Sequence, residues 1–119
     1  MKIVSTNRQA YHNYFVEATY EAGICLEGSE VKSIRAGNCN LKDCFILINK
    51  NEEVILKNMY VKPYEKSSVF TPNERRDHKL LMHKTKKKKL LSKVKQKGYT
   101  LVPTKLYFKN SLVKVEVGL

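Results

Sequence analysis

The stretch from Tyr20 to Asp43 limits most strongly what this 119-residue chain can fold into. It reads as strand, tight turn, very short helix, turn, strand, with Gly23 and Gly28 punctuating its first half. Ser29 stands where a helix N-cap is needed, since its hydroxyl can accept from the free amides of a first turn. Gly37 stands where the helix must stop, because glycine takes a positive φ without steric cost. Val31 and Ile34, three apart, turn one side of this helix toward a core. Glu30, Lys32 and Arg35 are then expected to point away from it. A short element fixed at both ends holds its charged side chains in set directions, as a binding surface requires and a linker does not.

The remaining apolar pattern is that of strands. Met1 to Asn13 is polar and lacks periodicity, so it is read as an arm or irregular lead-in. From Tyr14, period two sets in: Tyr14, Val16, Ala18, Tyr20 and Ala22 share one face, which marks a half-buried strand with the two tyrosines at core edges. Cys44–Ile48 and Val54–Leu56 flank the polar loop Asn49–Glu53 and predict a β-hairpin. Asn58 to Tyr64 continues extended until Pro63 ends it or places it at an edge, and 65–73 reads as a loop or short irregular helix. Thr85 can cap a helix running to Lys97, stopped by Gly98 and docked through Leu90, Leu91 and Val94. Lys87 falls where that stripe wants an apolar residue, so this end should fray or lean out. A second hairpin turns at Lys109–Ser111, with Val113, Val115 and Val117 alternating with Lys114 and Glu116. The chain is thus expected to be one mainly β domain over 1–119. Its expected form is a small antiparallel barrel of the OB type with about three helices packed on it. An open sheet with helices on one face is the alternative.

Charge sharpens the choice of partner. The chain carries a formal net charge of +12. Residues 75–97 hold eleven Lys and Arg against the single acid Asp77, leaving only +2 for the other 96 residues. Such concentration favours a polyanion, nucleic acid before an anionic membrane. Lys86, Lys87, Lys88 and Lys89 spread round much of a helix circumference and suit non-specific phosphate contacts. A solvated helix face is the plain alternative. No apolar run approaches the roughly 20 residues that span a bilayer, and the first residues hold no signal-peptide core. The expected location is therefore cytoplasmic, although an organelle-encoded protein would look the same.

Catalytic chemistry finds no purchase. There is no Gly-rich phosphate loop, no H-E-x-x-H and no nucleophile motif. Cys25, Cys39 and Cys44 form no C-x-x-C pair, and His12, His78 and His83 add no zinc spacing. The reading is three free thiols in or near the core, with no metal, no cofactor and no enzyme. Basic residues interleaved with Tyr and Phe on a β scaffold remain, a combination suited to phosphate contacts and to stacking of unpaired bases.

Several segments together carry a family resemblance. They are Asn7-Arg8, His12, Tyr14-Phe15, Tyr20–Ile24, Glu30–Gly37 (E-V-K-S-I-R-A-G) and Asn40–Asp43 (N-L-K-D). Tyr64-Glu65, Lys79–His83, Gly98–Pro103 and Leu106–Asn110 follow in the same register. The chain resembles the SmpB family, the SsrA-binding proteins that partner transfer-messenger RNA in bacterial ribosome rescue. The resemblance implies an OB-like barrel with three helices, acting as a monomer, one per tmRNA. It also implies a non-enzymatic role. Such a protein binds the tRNA-like domain of tmRNA near its elbow and replaces the missing anticodon arm. The pair then enters a stalled ribosome, where the nascent peptide is tagged for proteolysis. A general RNA-binding or ribosome-associated protein is the alternative.

Carried over residue by residue, the implied RNA-facing group is Asn7, Tyr14, Glu21, Glu30, Lys32, Arg35, Asn40 and Lys114, with Leu81 as an apolar support. His12 matches a family position near the ribosomal decoding centre. Glu21 could accept from base amines or 2′-hydroxyls, or hold a neighbouring Arg. Two departures stand out. The lysine run replaces a stretch that in the family mixes acids, bases and one apolar residue, which implies extra non-specific RNA affinity and weakened docking of that helix. The family also continues past the final strand with a basic tail, whereas this sequence stops at Gly118-Leu119. Truncation and a naturally tailless form both fit.

Overall fold

A computed structural model describes residues 1–63 and 73–119. Its elements run β1 (Lys2–Thr6), α1 (Arg8–Asn13), β2 (Thr19–Ile24), α2 (Gly28–Arg35), β3 (Cys39–Asn40), β4 (Phe45–Ile48), β5 (Val54–Lys57), β6 (Tyr60–Val61), β7 (His78–Leu81), α3 (Lys84–Lys97), β8 (Val102–Lys109) and β9 (Leu112–Gly118). Residues 65–72 of the loop predicted at 65–73, and with them the matching Tyr64-Glu65, lie outside the described residues.

Seven strands form one antiparallel sheet in the order β1-β8-β9-β2-β7-β5-β4, and β3 pairs with β6 in a separate two-stranded ribbon. Both predicted hairpins are present. Phe45 pairs with Lys57 and Ile48 with Val54 in the first; Val102 pairs with Gly118 and Lys109 with Leu112 in the second. The second turns through Asn110 and Ser111 at φ 51° and 67°. Two consecutive left-handed residues give the twist that matches the flanking strands. The sheet curls until β4 lies against β8, but no hydrogen-bonded ladder joins them. The barrel is therefore open along that seam.

The inner face holds one core. Ile34 from α2, Leu41, Leu56, Met59, Leu90 from α3, Leu106, Val115 and Val117 are each fully enclosed. On β9 the alternation is as expected: Val113, Val115 and Val117 are buried while Lys114 and Glu116 sit half-exposed on the other side.

Several expectations are corrected. The lead-in is ordered: β1 pairs with β8, and α1 follows. Both are weak in sequence because β1 is mostly exposed and α1 buries only Ala10. The strand predicted from Tyr14 begins only at Thr19, and Tyr14 is exposed rather than at a core edge. The N-cap of α2 is Glu27, not Ser29. The Glu27 side chain accepts from the Glu30 amide, and the Glu30 carboxylate accepts in return from the Glu27 amide at 2.8 Å. This reciprocal arrangement satisfies two free donors at once. Residues 78–81, read as part of a basic run, form β7 with His78 and Leu80 buried. Finally, α3 begins at Lys84 with His83 as N-cap. Lys87 is half-buried within it and its amide donates to the His83 carbonyl at 2.9 Å, so this end does not fray. Leu90 and Leu91 dock it as predicted, and Gly98 ends it at φ 66°.

Candidate nucleic-acid interface

Strand register decides which side chains meet. Directly opposed residues of an antiparallel pair point to the same face. Ile3 opposes Tyr107, Tyr107 opposes Lys114, Lys114 opposes Gly23, and Gly23 opposes Leu81. A continuous row thus crosses five strands on the outer face. The next row holds Lys105, Glu116 and Glu21. Three residues of the family-implied group, Glu21, Leu81 and Lys114, are brought onto one surface from three separate parts of the chain. Gly23 leaves the row low at its centre; Leu81 flanks that position, 3.5 Å from where a Cβ on Gly23 would stand.

Glu21 is tied into this surface. The Tyr107 hydroxyl donates to its Oε2 at 2.7 Å, and Lys109 Nζ lies 3.5 Å from the same oxygen. The Tyr107 hydrogen bond is the largest influence lowering the Glu21 carboxyl below its ordinary value, and the Lys109 and Lys114 charges add to it. Of the two roles open to Glu21, holding a neighbouring cation is thus seen, with Lys109 in place of an Arg. Lys114 has no carboxylate within ion-pair distance among the described residues. Glu116, one row away, accepts from Thr104 Oγ1 at 2.6 Å and from the Tyr11 hydroxyl at 3.3 Å, which ties α1 to the sheet.

The short helix presents Lys32 and Arg35 on its exposed side. The Arg35 guanidinium lies 5.4 Å from the Phe108 ring centre, within the range of cation–π attraction. It is held against β8 by a ring, and no acid among the described residues lies within ion-pair distance of it.

Glu30 does not follow its neighbours. It is 4 % exposed, correcting the expectation that it points away from the core. Arg76 donates to both of its oxygens, at 2.7 and 3.0 Å, and His78 Nε2 lies 2.7 Å from Oε2. Burial alone would push its pKa up. The hydrogen bonds from His78, Arg76 and the Glu27 amide outweigh burial and hold it down at about 2. An ionised carboxylate only accepts, so His78 carries a proton on Nε2. Its Nδ1 is buried without a partner among the described residues. Asn7 is likewise enclosed, its amide nitrogen donating to the Pro103 carbonyl at 2.9 Å. Neither residue offers open surface to an RNA.

The other implied residues lie in different places. His12 is exposed on α1. Tyr14 lines a groove of about 430 Å³ running along the open seam between α1, β4 and β8. Asn40 pairs with Tyr60 in the small ribbon. Lys86, Lys88 and Lys89 are exposed on α3. Sequence reading missed Tyr107 and Lys109 as partners of Glu21, and Arg76 and His78 as partners of Glu30. Each pairing links residues far apart in the chain. Of the three thiols, burial raises Cys39 to about 11 and Cys44 to about 12, whereas Cys25 is exposed, correcting the expectation that all three lie in or near the core.

Comparison with known proteins matches nearly the whole chain to one family. A family model described as SmpB protein matches residues 4–119. The SsrA-binding protein of Caldicellulosiruptor saccharolyticus is 52 % identical over 118 residues, covering 99 % of this chain and 74 % of that protein. That of Thermoanaerobacter pseudethanolicus is 53 % identical over 118 residues, with 99 % and 75 % covered. A solved structure described as "tmRNA-SmpB: a journey to the center of the bacterial ribosome" is similar with a TM-score of 0.75. It is 48 % identical, covering 96 % of this chain and 80 % of that one.

Proposed function

The chain belongs to the SmpB family, and from that premise we propose that it binds the tRNA-like domain of transfer-messenger RNA and brings it to stalled bacterial ribosomes. The observation that carries this reading is the outer face, where strand register gathers Glu21, Leu81 and Lys114. On it Lys114 and Lys109 meet phosphates, Leu81 supplies an apolar step, and Glu21 fixes Lys109. Lys32 and Arg35 extend the contact onto α2, and Asn40 onto the β3–β6 ribbon. Tyr14 meets the RNA, and exposed His12 serves the ribosome-facing side of the complex. Buried Asn7 and Glu30 act by holding these elements in place. The role is non-catalytic and cytoplasmic, with one protein per RNA. No helix among the described residues is long and apolar enough to cross a membrane.

The second reading, a general RNA binder, rests on the exposed lysines of α3. Both readings expect affinity to fall with salt, since phosphate contacts release counterions. Competition separates them. A folded tRNA-like domain should displace labelled tmRNA far better than an unstructured RNA of equal length. Equal displacement would refute the specific reading in favour of the general one.

A further inference from the structure

A second guanidinium in this molecule lies over an aromatic ring, and nothing above accounts for it. Arg75 lies 5.4 Å from the Tyr60 ring centre. It is exposed, and it has no carboxylate within ion-pair distance among the described residues.

Its position is fixed from several sides. The Asn73 side chain accepts from the Arg75 amide at 2.8 Å, forming a local turn. The Glu74 carbonyl accepts from the Val61 amide at 2.8 Å, pinning that turn to β6. The guanidinium donates through Nη1 to the Asn58 carbonyl at 3.3 Å. Asn58, at φ 67°, in turn donates to the Asp43 carbonyl at 3.2 Å. A long, flexible side chain is thus ordered in advance without losing its charge, which lowers the entropy cost of binding an anion.

Around it lies a hollow of about 190 Å³ lined by Asn40, Lys42, Asp43, Tyr60 and Arg75. Lys42 is exposed, its amide held by the Asn40 side chain at 2.7 Å. Two cations face one acid, Asp43. A bare phosphate would meet that acid unfavourably. A nucleotide suits the set better, because its base edge carries amino donors that a carboxylate can accept. Unpaired bases are commonly held against guanidinium planes.

Building on the RNA-binding reading, we propose that this hollow receives one unpaired nucleotide of the bound RNA. The phosphate is held by the in-plane N–H groups of Arg75 and by Lys42. The base lies on the open face of the Arg75 guanidinium, with Asp43 accepting from its edge. Tyr60 backs the stack. Asn40, already implied as RNA-facing by the family pattern, forms the neighbouring wall, so the subsite continues the surface begun by Arg35.

The test measures equilibrium binding of the tRNA-like domain of tmRNA to the full chain, its Arg75→Ala and Arg75→Lys variants, and Tyr60→Leu. Arg75→Ala should weaken binding about tenfold, the effect of one lost charge-assisted contact. Arg75→Lys keeps the charge but loses the plane, so it should bind nearly as weakly as alanine with an unchanged salt slope. Full rescue by lysine would overturn the stacking assignment. Wild-type binding by Arg75→Ala would overturn the subsite altogether. Arg75 is exposed, so its variants remain folded even if Tyr60→Leu does not, and thermal melting checks this. The RNA-binding reading itself is judged separately, on the wild-type chain's preference for folded over unstructured RNA.

Discussion

Replacing Glu30 by Gln tests the reassignment of that residue from surface contact to internal anchor. Four donors converge on two carboxylate oxygens: Arg76 Nη2 and the Glu27 amide on Oε1, Arg76 Nε and His78 Nε2 on Oε2. A glutamine offers one oxygen. If it replaces Oε2, its NH₂ faces Arg76 and the Glu27 amide, donor against donor. If it replaces Oε1, its NH₂ faces Arg76 Nε and His78 Nε2, again donor against donor. Either way donors are left unpaired, and each buried one costs about 1–3 kcal/mol. The depression of Glu30 from 4.5 to about 2 gives a matching figure, about 3 kcal/mol of stability at neutral pH. The sign follows from linkage. A carboxyl whose folded pKa is lowered contributes fully above its ordinary value and loses that contribution as pH falls through the folded one. Urea unfolding of the wild-type chain and Glu30→Gln, from pH 7 down to pH 2, is the assay; titrations common to both cancel in the difference. The gap should be about 3 kcal/mol down to about pH 4.5, then close toward about pH 2. A gap under about 1 kcal/mol at pH 7, or one that stays flat with pH, would refute the anchoring argument.

Arg35→Ala should weaken binding of the tRNA-like domain by about 1–3 kcal/mol, while exposed Lys88→Ala should cost less and act alike on every RNA; equal losses at both positions on specific and non-specific RNA would contradict α2 as the specific surface. Tyr107→Phe removes the hydroxyl that donates to Glu21 at 2.7 Å, so the Glu21 carboxyl, followed by NMR titration, should move back up toward its ordinary value. Stability should fall by about 1 kcal/mol, and an unmoved titration would show that Tyr107 does not set the state of Glu21.

What the sequence made legible is what is local along the chain. The hairpins β4–β5 and β8–β9 need only alternating apolar residues around a polar turn, and both were readable with their turns. The end of α3 at Gly98 was readable because a left-handed residue there is a property of one position. The N-terminal pair β1 and α1 escaped because edge strands and one-turn helices bury too little to leave a pattern. β7 escaped for another reason. His78-Lys79-Leu80-Leu81 alternates inward and outward, but in a segment so rich in Lys and Arg the charge dominates the reading and hides the period.

The same confusion misplaced Glu30, and it shows where residue-type reasoning stops for a surface of this kind. On a helix of eight residues, a glutamate beside Lys32 and Arg35 reads as one of three exposed charges. What reverses that reading lies 46 and 48 positions away, in Arg76 and His78. Those two residues read, in their own neighbourhood, as part of a basic patch awaiting phosphate. Only the pairing of β7 with β2 and β5 spends one cation of that patch internally and leaves Arg75, its sequence neighbour, free of any described carboxylate. Net charge counts Arg75 and Arg76 alike. The fold separates them into a cation that secures α2 and a cation held ready on Tyr60. A basic protein's RNA surface is therefore defined by which of its positive charges the fold has left unneutralised and oriented, and that division arises from long-range strand register.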